Sequence, residues 1–152
     1  MARANKVLER MAGKELSAKM RATNITREFG FELLEGDAER VRMQMRVASR
    51  HLQVHGVVHG GVTAALADTA GGLSVYLRLP PGSRVATVEM KINFLEAIEG
   101  GSVIAEARVI RLGRHFGVVD CDVRDHDGRL CAKALMTFAV IHRGPKQKGR
   151  RS

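Results

Sequence analysis

Alternating hydrophobic and polar residues predict six β-strands along this chain. The first two form a hairpin that begins near Phe29 and turns at Gly36 and Asp37. The next two hairpin turns are predicted around Gly113 and Gly128, between strands of a second, longer group. The strands of that group are predicted at about 84–96, 102–111, 115–125 and 129–141.

Hydrophobic residues three and four positions apart predict one long helix over residues 60–79. Gly71 and Gly72 in its middle each cost about 1 kcal/mol relative to Ala, which indicates close packing against another element. The run of Pro80, Pro81 and Gly82 ends the helix. The predicted apolar stripe consists of Val62, Leu66, Thr69, Leu73 and Tyr76.

The order of these elements predicts the α+β fold class. A modest amphipathic helix over residues 5–22 is followed by the hairpin, the long helix and a four-stranded meander. Because the long helix and the sheet each have an apolar face, we expect the helix to lie across an antiparallel sheet of about six strands. The chain then divides into an N-terminal helix and lead-in (1–28), one domain (29–142) and a tail (143–152).

Composition is consistent with one compact domain of 152 residues, 45% of them hydrophobic. No apolar run approaches the roughly 18 residues of a membrane span. The start of the chain lacks the apolar segment of a secretory signal, so we expect a cytoplasmic protein. Cys121 and Cys131 lie on predicted strands, outside any paired-cysteine ligand motif, and are expected to be buried thiols in a reducing compartment.

The net charge of +9 is concentrated at the two ends of the chain. Residues 1–21 carry +4 and residues 143–152 carry +5, whereas residues 22–142 hold 14 basic and 14 acidic side chains. A basic tail of this composition is typical of a solvated end, with an anion-attracting arm or nonspecific polyanion binding as the alternatives. No aromatic residues alternate with its basic ones, which argues against a nucleic-acid partner.

The strongest chemical signal is the segment 59–68, at the predicted start of the long helix. If Gly60 and Gly61 form its first turn, their amides and the helix dipole can polarise a carbonyl group. Asp68 follows about two turns later, roughly 120° from the centre of the apolar stripe. We therefore expect one carboxylate and two amides of the same helix to converge on one carbon atom.

This segment resembles the helix-opening motif of the PaaI-type hotdog-fold thioesterases, in which His-Gly-Gly is followed at fixed offsets by Leu and an acid, here Leu66 and Asp68. The resemblance extends from about residue 29 to residue 141. It implies a hotdog fold and hydrolysis of acyl-CoA thioesters to a free acid and coenzyme A. It also implies a homodimer or a tetramer formed as a dimer of dimers, with sites between protomers. No cofactor is implied, because coenzyme A is part of the substrate.

The resemblance assigns roles to individual residues. Gly60 corresponds to the oxyanion-hole amide, and Asp68 to the catalytic acid, acting as general base or as nucleophile. Gln53 stands where relatives have Asn or Gln in contact with the thioester. His59 and Gly61 are expected beside the substrate, with His59 either acting as an acid or, as we favour, hydrogen-bonded near the helix start.

Thr87 matches a Ser or Thr that in relatives reaches across a dimer interface to hold water. The alternation of its strand predicts a different environment, because Thr87 shares a phase with Glu89 and Lys91, opposite the apolar phase. It can join the site only if the polar phase opens into the interface cleft. Basic residues at a helix end and a hairpin are candidates for the phosphates of coenzyme A: Arg78, Arg111, Arg114 and His115.

Three other interpretations are weaker. A hotdog hydratase is disfavoured because no proline stands beside a histidine, as the hydratase relatives' signatures require. A non-catalytic acyl-CoA-binding module is disfavoured by the presence of Asp68 with both glycines. The spacing of His51, His55 and His59 would suit a metal site only on a helix, and the intervening Gly, Val and Val argue against one.

Overall fold

The computed structural model describes residues 23–37 and 39–142. The predicted helix over residues 5–22 and the basic tail over residues 143–152 lie outside the described residues. The elements, in chain order, are α1 (Asn24–Phe29), β1 (Phe31–Gly36), β2 (Val41–Arg46), a 3-10 turn (Ser49–His51), α2 (Gly60–Tyr76), β3 (Arg84–Phe94), β4 (Ser102–Leu112), β5 (Phe116–Arg124) and β6 (Leu130–Ile141).

The six strands form one antiparallel sheet in the order β1-β2-β4-β5-β6-β3, which confirms the predicted fold class. β1 and β3 are its two edge strands. The predicted first strand begins too early, because Phe29 is the last residue of α1. Gly30 ends that helix with a φ of 64°, a left-handed conformation that glycine adopts readily, and β1 starts after it.

The helix α2 lies across the sheet with a wider buried face than its larger apolar residues predicted. Thr63, Ala67, Ala70 and Ser74 are buried beside Leu66, whereas the predicted stripe residue Tyr76 is 41% exposed. Small residues carry little weight in a hydrophobic pattern, yet they allow the helix to approach the sheet closely. The helix ends at Tyr76, and residues 77–79 continue as turns before the prolines.

Gly71 marks the closest approach between α2 and β6. A Cβ atom on Gly71 would lie 2.6 Å from Met136 Cε and 3.0 Å from Phe138 Cζ, both on β6. Gly72 has more space, with Phe138 Cε1 at 3.4 Å from the corresponding position. The close packing predicted from the mid-helix glycine pair is therefore confirmed, and Gly71 is the residue that permits it.

The inner face of the sheet forms the core with α2, and the outer face carries ion pairs. On the outer face Lys133 Nζ lies 2.7 Å from both Asp120 Oδ2 and Asp122 Oδ1. Cys121 and Cys131 are both buried free thiols, as predicted. Burial raises the pKa of the Cys121 thiol to about 12, so it is protonated and unreactive at neutral pH. Within the described ranges, every helix is too short or too polar to cross a bilayer.

Candidate active site

The first turn of α2 leaves one backbone amide available. His59 is the N-cap residue, and its Nδ1 accepts a hydrogen bond from the Gly61 amide at 2.9 Å. The His59 carbonyl accepts from the amides of Val62 at 2.9 Å and Thr63 at 3.2 Å. The Gly61 amide therefore already has an acceptor within the protein, contrary to the expectation that the amides of both glycines face a substrate. The Gly60 amide has no acceptor among the described residues, and it sits at the positive end of the helix dipole.

A cleft of about 290 Å³ opens beside Gly60. One wall is the ring of Phe94, whose Cζ lies 3.1 Å from the position of a Cβ on Gly60. The lining is mostly apolar and includes one residue with a formal charge, Glu96. The lining residues are Val57, Val58, Gly60, Thr63, Phe94, Leu95, Glu96, Ala97, Ile98 and Cys131.

Asp68 lies on the half-buried flank of α2 and contacts the edge strand β3. The Thr87 hydroxyl donates a 2.7 Å hydrogen bond to Asp68 Oδ1. Asp68 Oδ2 has no donor among the described residues, so one carboxylate oxygen remains available to accept a proton. Asp68 and Thr87, two of the residues singled out from the sequence, therefore form one group within a single chain.

Thr87 faces α2 because of a β-bulge at the neighbouring Val88. Thr87 pairs with Phe138 and Met90 pairs with Met136, and both partners pack against the helix. Two residues, Val88 and Glu89, intervene on β3 where β6 has one. A bulge of this kind shifts the alternation by one position. The predicted phase of Thr87 is thus wrong for this half of the strand, and the threonine lies on the same side as the helix.

Gly60 and Asp68 are too far apart along α2 to act on one carbon atom within a single chain. Eight residues at a rise of about 1.5 Å each separate the two by about 12 Å along the helix axis. A carbonyl within hydrogen-bonding distance of the Gly60 amide is then out of reach of the Asp68 carboxylate. The expected convergence of amide and carboxylate from one helix is therefore incompatible with helix geometry.

Gln53 lies in a folded loop that leads into α2. Its backbone amide donates to the Val57 carbonyl at 2.8 Å, and Leu52 pairs with Val58 in an isolated bridge. The side-chain Oε1 accepts from the His55 amide at 3.2 Å. Residues 52–58 therefore turn back on themselves just before the helix, and the Gln53 side chain contacts its own loop and is not among the residues that line the cleft beside Gly60.

His51 anchors this loop from inside the protein, a role that the sequence pattern did not indicate. It is fully buried, its Nδ1 accepts from the Ala48 amide at 3.0 Å, and its carbonyl accepts from the His59 amide at 2.8 Å. Burial, with the nearby positive charge of Arg50, lowers the pKa of His51. Because residues 52–58 are not helical, the three histidines considered as metal ligands do not line up on one helix.

The basic residues proposed for phosphate lie at the other end of α2. Arg111, Arg114 and His115 are exposed at the hairpin between β4 and β5. At that hairpin a Cβ on Gly117 would meet Val75 Cγ2 at 3.0 Å, which fixes the hairpin beside the C-terminal end of the helix. Arg78 follows that same end. A single chain therefore does not bring these residues to Gly60.

Known proteins share this architecture. The family model of the thioesterase superfamily matches residues 55–132. The chain is 30% identical over 97 residues to the 1,4-dihydroxy-2-naphthoyl-CoA hydrolase of Escherichia coli (strain K12), which covers 64% of this chain and 71% of that protein. The crystal structure of a thioesterase from Haemophilus influenzae superposes with a TM-score of 0.82 at 30% identity, covering 88% of this chain and 93% of that one.

The PaaI protein of E. coli, from the phenylacetic acid degradation operon, has the same fold, with a TM-score of 0.78 at 23% identity over 86% of this chain and 94% of that one. The six-stranded sheet, the central helix and these matches together define a hotdog-fold hydrolase of thioesters. Within that class, the chain belongs to the thioesterase superfamily, and it shares the fold of PaaI, the protein whose family the His-Gly-Gly motif resembles.

Proposed function

We propose that this protein hydrolyses acyl-CoA thioesters to a free acid and coenzyme A, at sites formed between two copies of the chain. The observation that carries the proposal is the arrangement of Gly60 and Asp68 along the edge strand β3. Gly60 lies against Phe94, near the end of the strand, and Asp68 contacts Thr87, seven residues earlier. The other edge of β3 has no neighbouring strand among the described residues.

A two-fold axis that crosses β3 between residues 87 and 94 would bring the Gly60 amide of one chain close to the Asp68 carboxylate of the other. It would pair this edge with the same edge of a second copy, in an antiparallel manner, and extend the sheet across the dimer. Residue 94 of one copy would then face residue 87 of the partner subunit. The Gly60 amide of each chain would lie near Asp68 of the partner subunit, which removes the separation of about 12 Å along one helix.

The proposed reaction uses the two halves for different tasks. The Gly60 amide donates to the thioester carbonyl oxygen and stabilises the charge that develops there, and the resemblance assigns Gln53 a contact with the same thioester. One such donor is worth roughly 10²–10³ in rate in other enzymes. Asp68 accepts a proton from water held by the Thr87 hydroxyl, and the water oxygen bonds to the carbonyl carbon. The carbon–sulfur bond then breaks, and the coenzyme A thiolate takes up a proton.

The leaving group needs little assistance in this scheme, because a thiol has a pKa of about 8.5. In the alternative route, Asp68 itself attacks the carbonyl carbon and forms a mixed anhydride, which water then opens. Both routes require the same two groups on opposite sides of the carbonyl carbon. Asp68 Oδ2, which has no donor in the described part of the chain, is compatible with either role.

Coenzyme A is the proposed carrier for two reasons. The relative named 1,4-dihydroxy-2-naphthoyl-CoA hydrolase acts on a CoA thioester by its name, and it is 30% identical to this chain over 97 residues. This chain also has basic side chains that could contact phosphate groups at the far end of α2. Arg111, Arg114 and His115 are exposed there and Arg78 is half-buried, and all four are the residues proposed from the sequence.

The first test is release of free thiol from a panel of acyl-CoAs with short, medium, long and aromatic acyl groups. We expect turnover by the wild-type protein and a loss of about 10²–10⁴ in kcat for Asp68→Asn, because the amide cannot accept the proton. Glu99→Asn, at an exposed acid outside the site, is the matched control and should keep full activity. Acyl-CoA binding without turnover across the panel would instead support the non-catalytic binding module.

A further inference from the structure

The cleft beside Gly60 accepts one of the two groups attached to a carbonyl bound at that amide. One of these groups is the acyl chain and the other is the sulfur with its pantetheine arm. The pantetheine arm carries two amides and a hydroxyl, which need hydrogen-bond partners when buried. Most of the cleft wall consists of side chains that offer no partner, among them Val57, Val58, Phe94 and Ile98. Thr63 is the one lining residue with a neutral hydroxyl, which gives too few partners for a buried pantetheine arm. The chemistry of the lining therefore favours the acyl chain.

The size of the cleft limits that acyl chain. Pockets for drug-sized ligands have volumes of about 300–1,000 Å³, and an apolar cavity of about 150 Å³ can hold benzene. At about 290 Å³, the part of the cleft that one chain forms is large enough for one ring or a short alkyl chain, but small for a long fatty acyl chain. Phe94 is the residue that closes it toward the edge strand, because its ring contacts the Gly60 side of the cleft.

Glu96 makes the cleft select acyl groups by their charge as well as by their size. It is the lining residue with a formal charge, and the rest of the lining offers no cation to balance a second negative group. A carboxylate at the end of an acyl chain would face like-charge repulsion in a largely apolar cleft. An uncharged acyl group of the same length meets no such cost.

Given the proposed function, on which this inference rests, we propose that the cleft selects compact, uncharged acyl groups about the size of one ring. Phe94 sets the upper limit of length, and Glu96 rejects acyl groups that end in a carboxylate. Both residues determine specificity and neither takes part in bond breaking.

The length limit is tested by comparing kcat/KM for hexanoyl-CoA, benzoyl-CoA and dodecanoyl-CoA. In the wild-type protein we expect hexanoyl-CoA and benzoyl-CoA to exceed dodecanoyl-CoA by at least about tenfold, a difference within reach of hydrophobic pocket fit. Phe94→Ala should raise the value for dodecanoyl-CoA and remove most of this preference. Phe94→Leu, which keeps an apolar side chain at the position, should give an intermediate ratio and guards against a folding defect in the alanine variant.

Phe116→Ala is the matched control, because Phe116 is 54% exposed, close to the 55% of Phe94, and lies at the start of β5, outside the cleft. It should leave the chain-length ratio unchanged. A wild-type protein that hydrolyses dodecanoyl-CoA as fast as hexanoyl-CoA overturns the length limit while leaving thioester hydrolysis intact. A protein that turns over no acyl-CoA overturns the proposed function together with this inference.

The charge selection is tested by comparing succinyl-CoA with butyryl-CoA, which have the same number of acyl carbons. Glu96→Gln should raise kcat/KM for succinyl-CoA relative to butyryl-CoA by about fivefold. This is the fold-change expected for the repulsion between two like charges in contact in a solvent-exposed environment. Glu99→Gln, at a neighbouring exposed acid outside the cleft lining, should not change the ratio. An unchanged ratio in Glu96→Gln overturns the proposed role of Glu96.

Discussion

Asp68 obtains its local environment from Thr87, a residue nineteen positions away on the edge strand. The threonine hydroxyl fixes one carboxylate oxygen, and the other has no donor within residues 23–37 and 39–142, which suits a group that must accept a proton from water. His59 has a comparable effect on the helix start, because its imidazole occupies the Gly61 amide and leaves that of Gly60 available. At the scale of single residues, the site therefore depends on which polar groups already have a hydrogen-bond partner within the protein.

The buried His51 gives the folded protein a specific sensitivity to acid. Burial lowers the pKa of His51, so the unfolded chain binds a proton at a higher pH than the folded chain. Stability is therefore unaffected by this group above its unfolded pKa of about 6.5 and falls as the pH drops below that value. The loss levels off once the pH is below the folded pKa, and each unit of lowering is worth about 1.4 kcal/mol.

This prediction is checked by the melting temperature of wild-type protein and His51→Gln at pH 7.5 and pH 5.5. Glutamine can still accept from the Ala48 amide but does not titrate, so the variant should lose less melting temperature on acidification. His115→Gln, at an exposed histidine, should behave like the wild-type protein. Equal acid sensitivity of His51→Gln and the wild-type protein would contradict the assignment.

At the scale of elements, the contact between α2 and β6 depends on the absence of a side chain at Gly71. Gly71→Ala should destabilise the protein by about 1–3 kcal/mol, because the new methyl group would overlap Met136 and the less adaptable ring of Phe138. Gly72→Ala is the matched control. It meets only ordinary contacts and gains up to about 1 kcal/mol of helix propensity.

Urea unfolding of the two variants measures both effects in one experiment. The midpoint should fall for Gly71→Ala and stay level or rise for Gly72→Ala. Two variants of equal stability would mean that α2 does not approach β6 as closely as described.

The long helix and the four strands that follow it could be predicted from the sequence because each has a strong periodicity or clear turn residues. The prediction that these four strands form a meander is wrong for β3, which pairs with β6 and not with β4. Strand order depends on contacts between distant segments, which local alternation does not specify.

The bulge at Val88 could not be predicted either, since a bulge inserts a residue without changing the alternation of residue types on either side. For that reason the sequence assigned Thr87 to the wrong face of β3. The start of α1 at Asn24 and the burial of His51 were also missed, because short helices and buried imidazoles have no distinctive pattern.

Part of the candidate site could also be predicted from the sequence. Gly60 and Asp68 stood out by their spacing, and Thr87 by its resemblance to a family position, although its side-chain direction was misjudged. The occupied Gly61 amide was not foreseeable, because it depends on the rotamer of His59. The cleft wall formed by Phe94 required the path of β3 past the helix start, which no local pattern specifies.

At the scale of the whole molecule, the separation of Gly60 and Asp68 along one helix makes a second copy of the chain necessary for the proposed chemistry. In the proposed dimer, the surface for that copy is the edge of β3 that has no neighbouring strand among the described residues. The central claim is therefore that each site takes its amide from one chain and its carboxylate from another. This claim can be tested without knowing the acyl group, with any acyl-CoA that the wild-type protein hydrolyses.

The most direct measurement uses mixed dimers of two inactive variants. Asp68→Asn removes the base, and Gly60→Pro removes the amide at the first helical position, where proline is well tolerated. Gly60→Ala is the control for the second variant, because it adds the same Cβ beside Phe94 but keeps the amide.

Each variant alone should be almost inactive, and dimers refolded from an equal mixture should recover about one quarter of wild-type activity, because half of them contain one intact site. No recovery, in mixtures whose mixed dimers are verified by mass spectrometry, would contradict a site shared between chains.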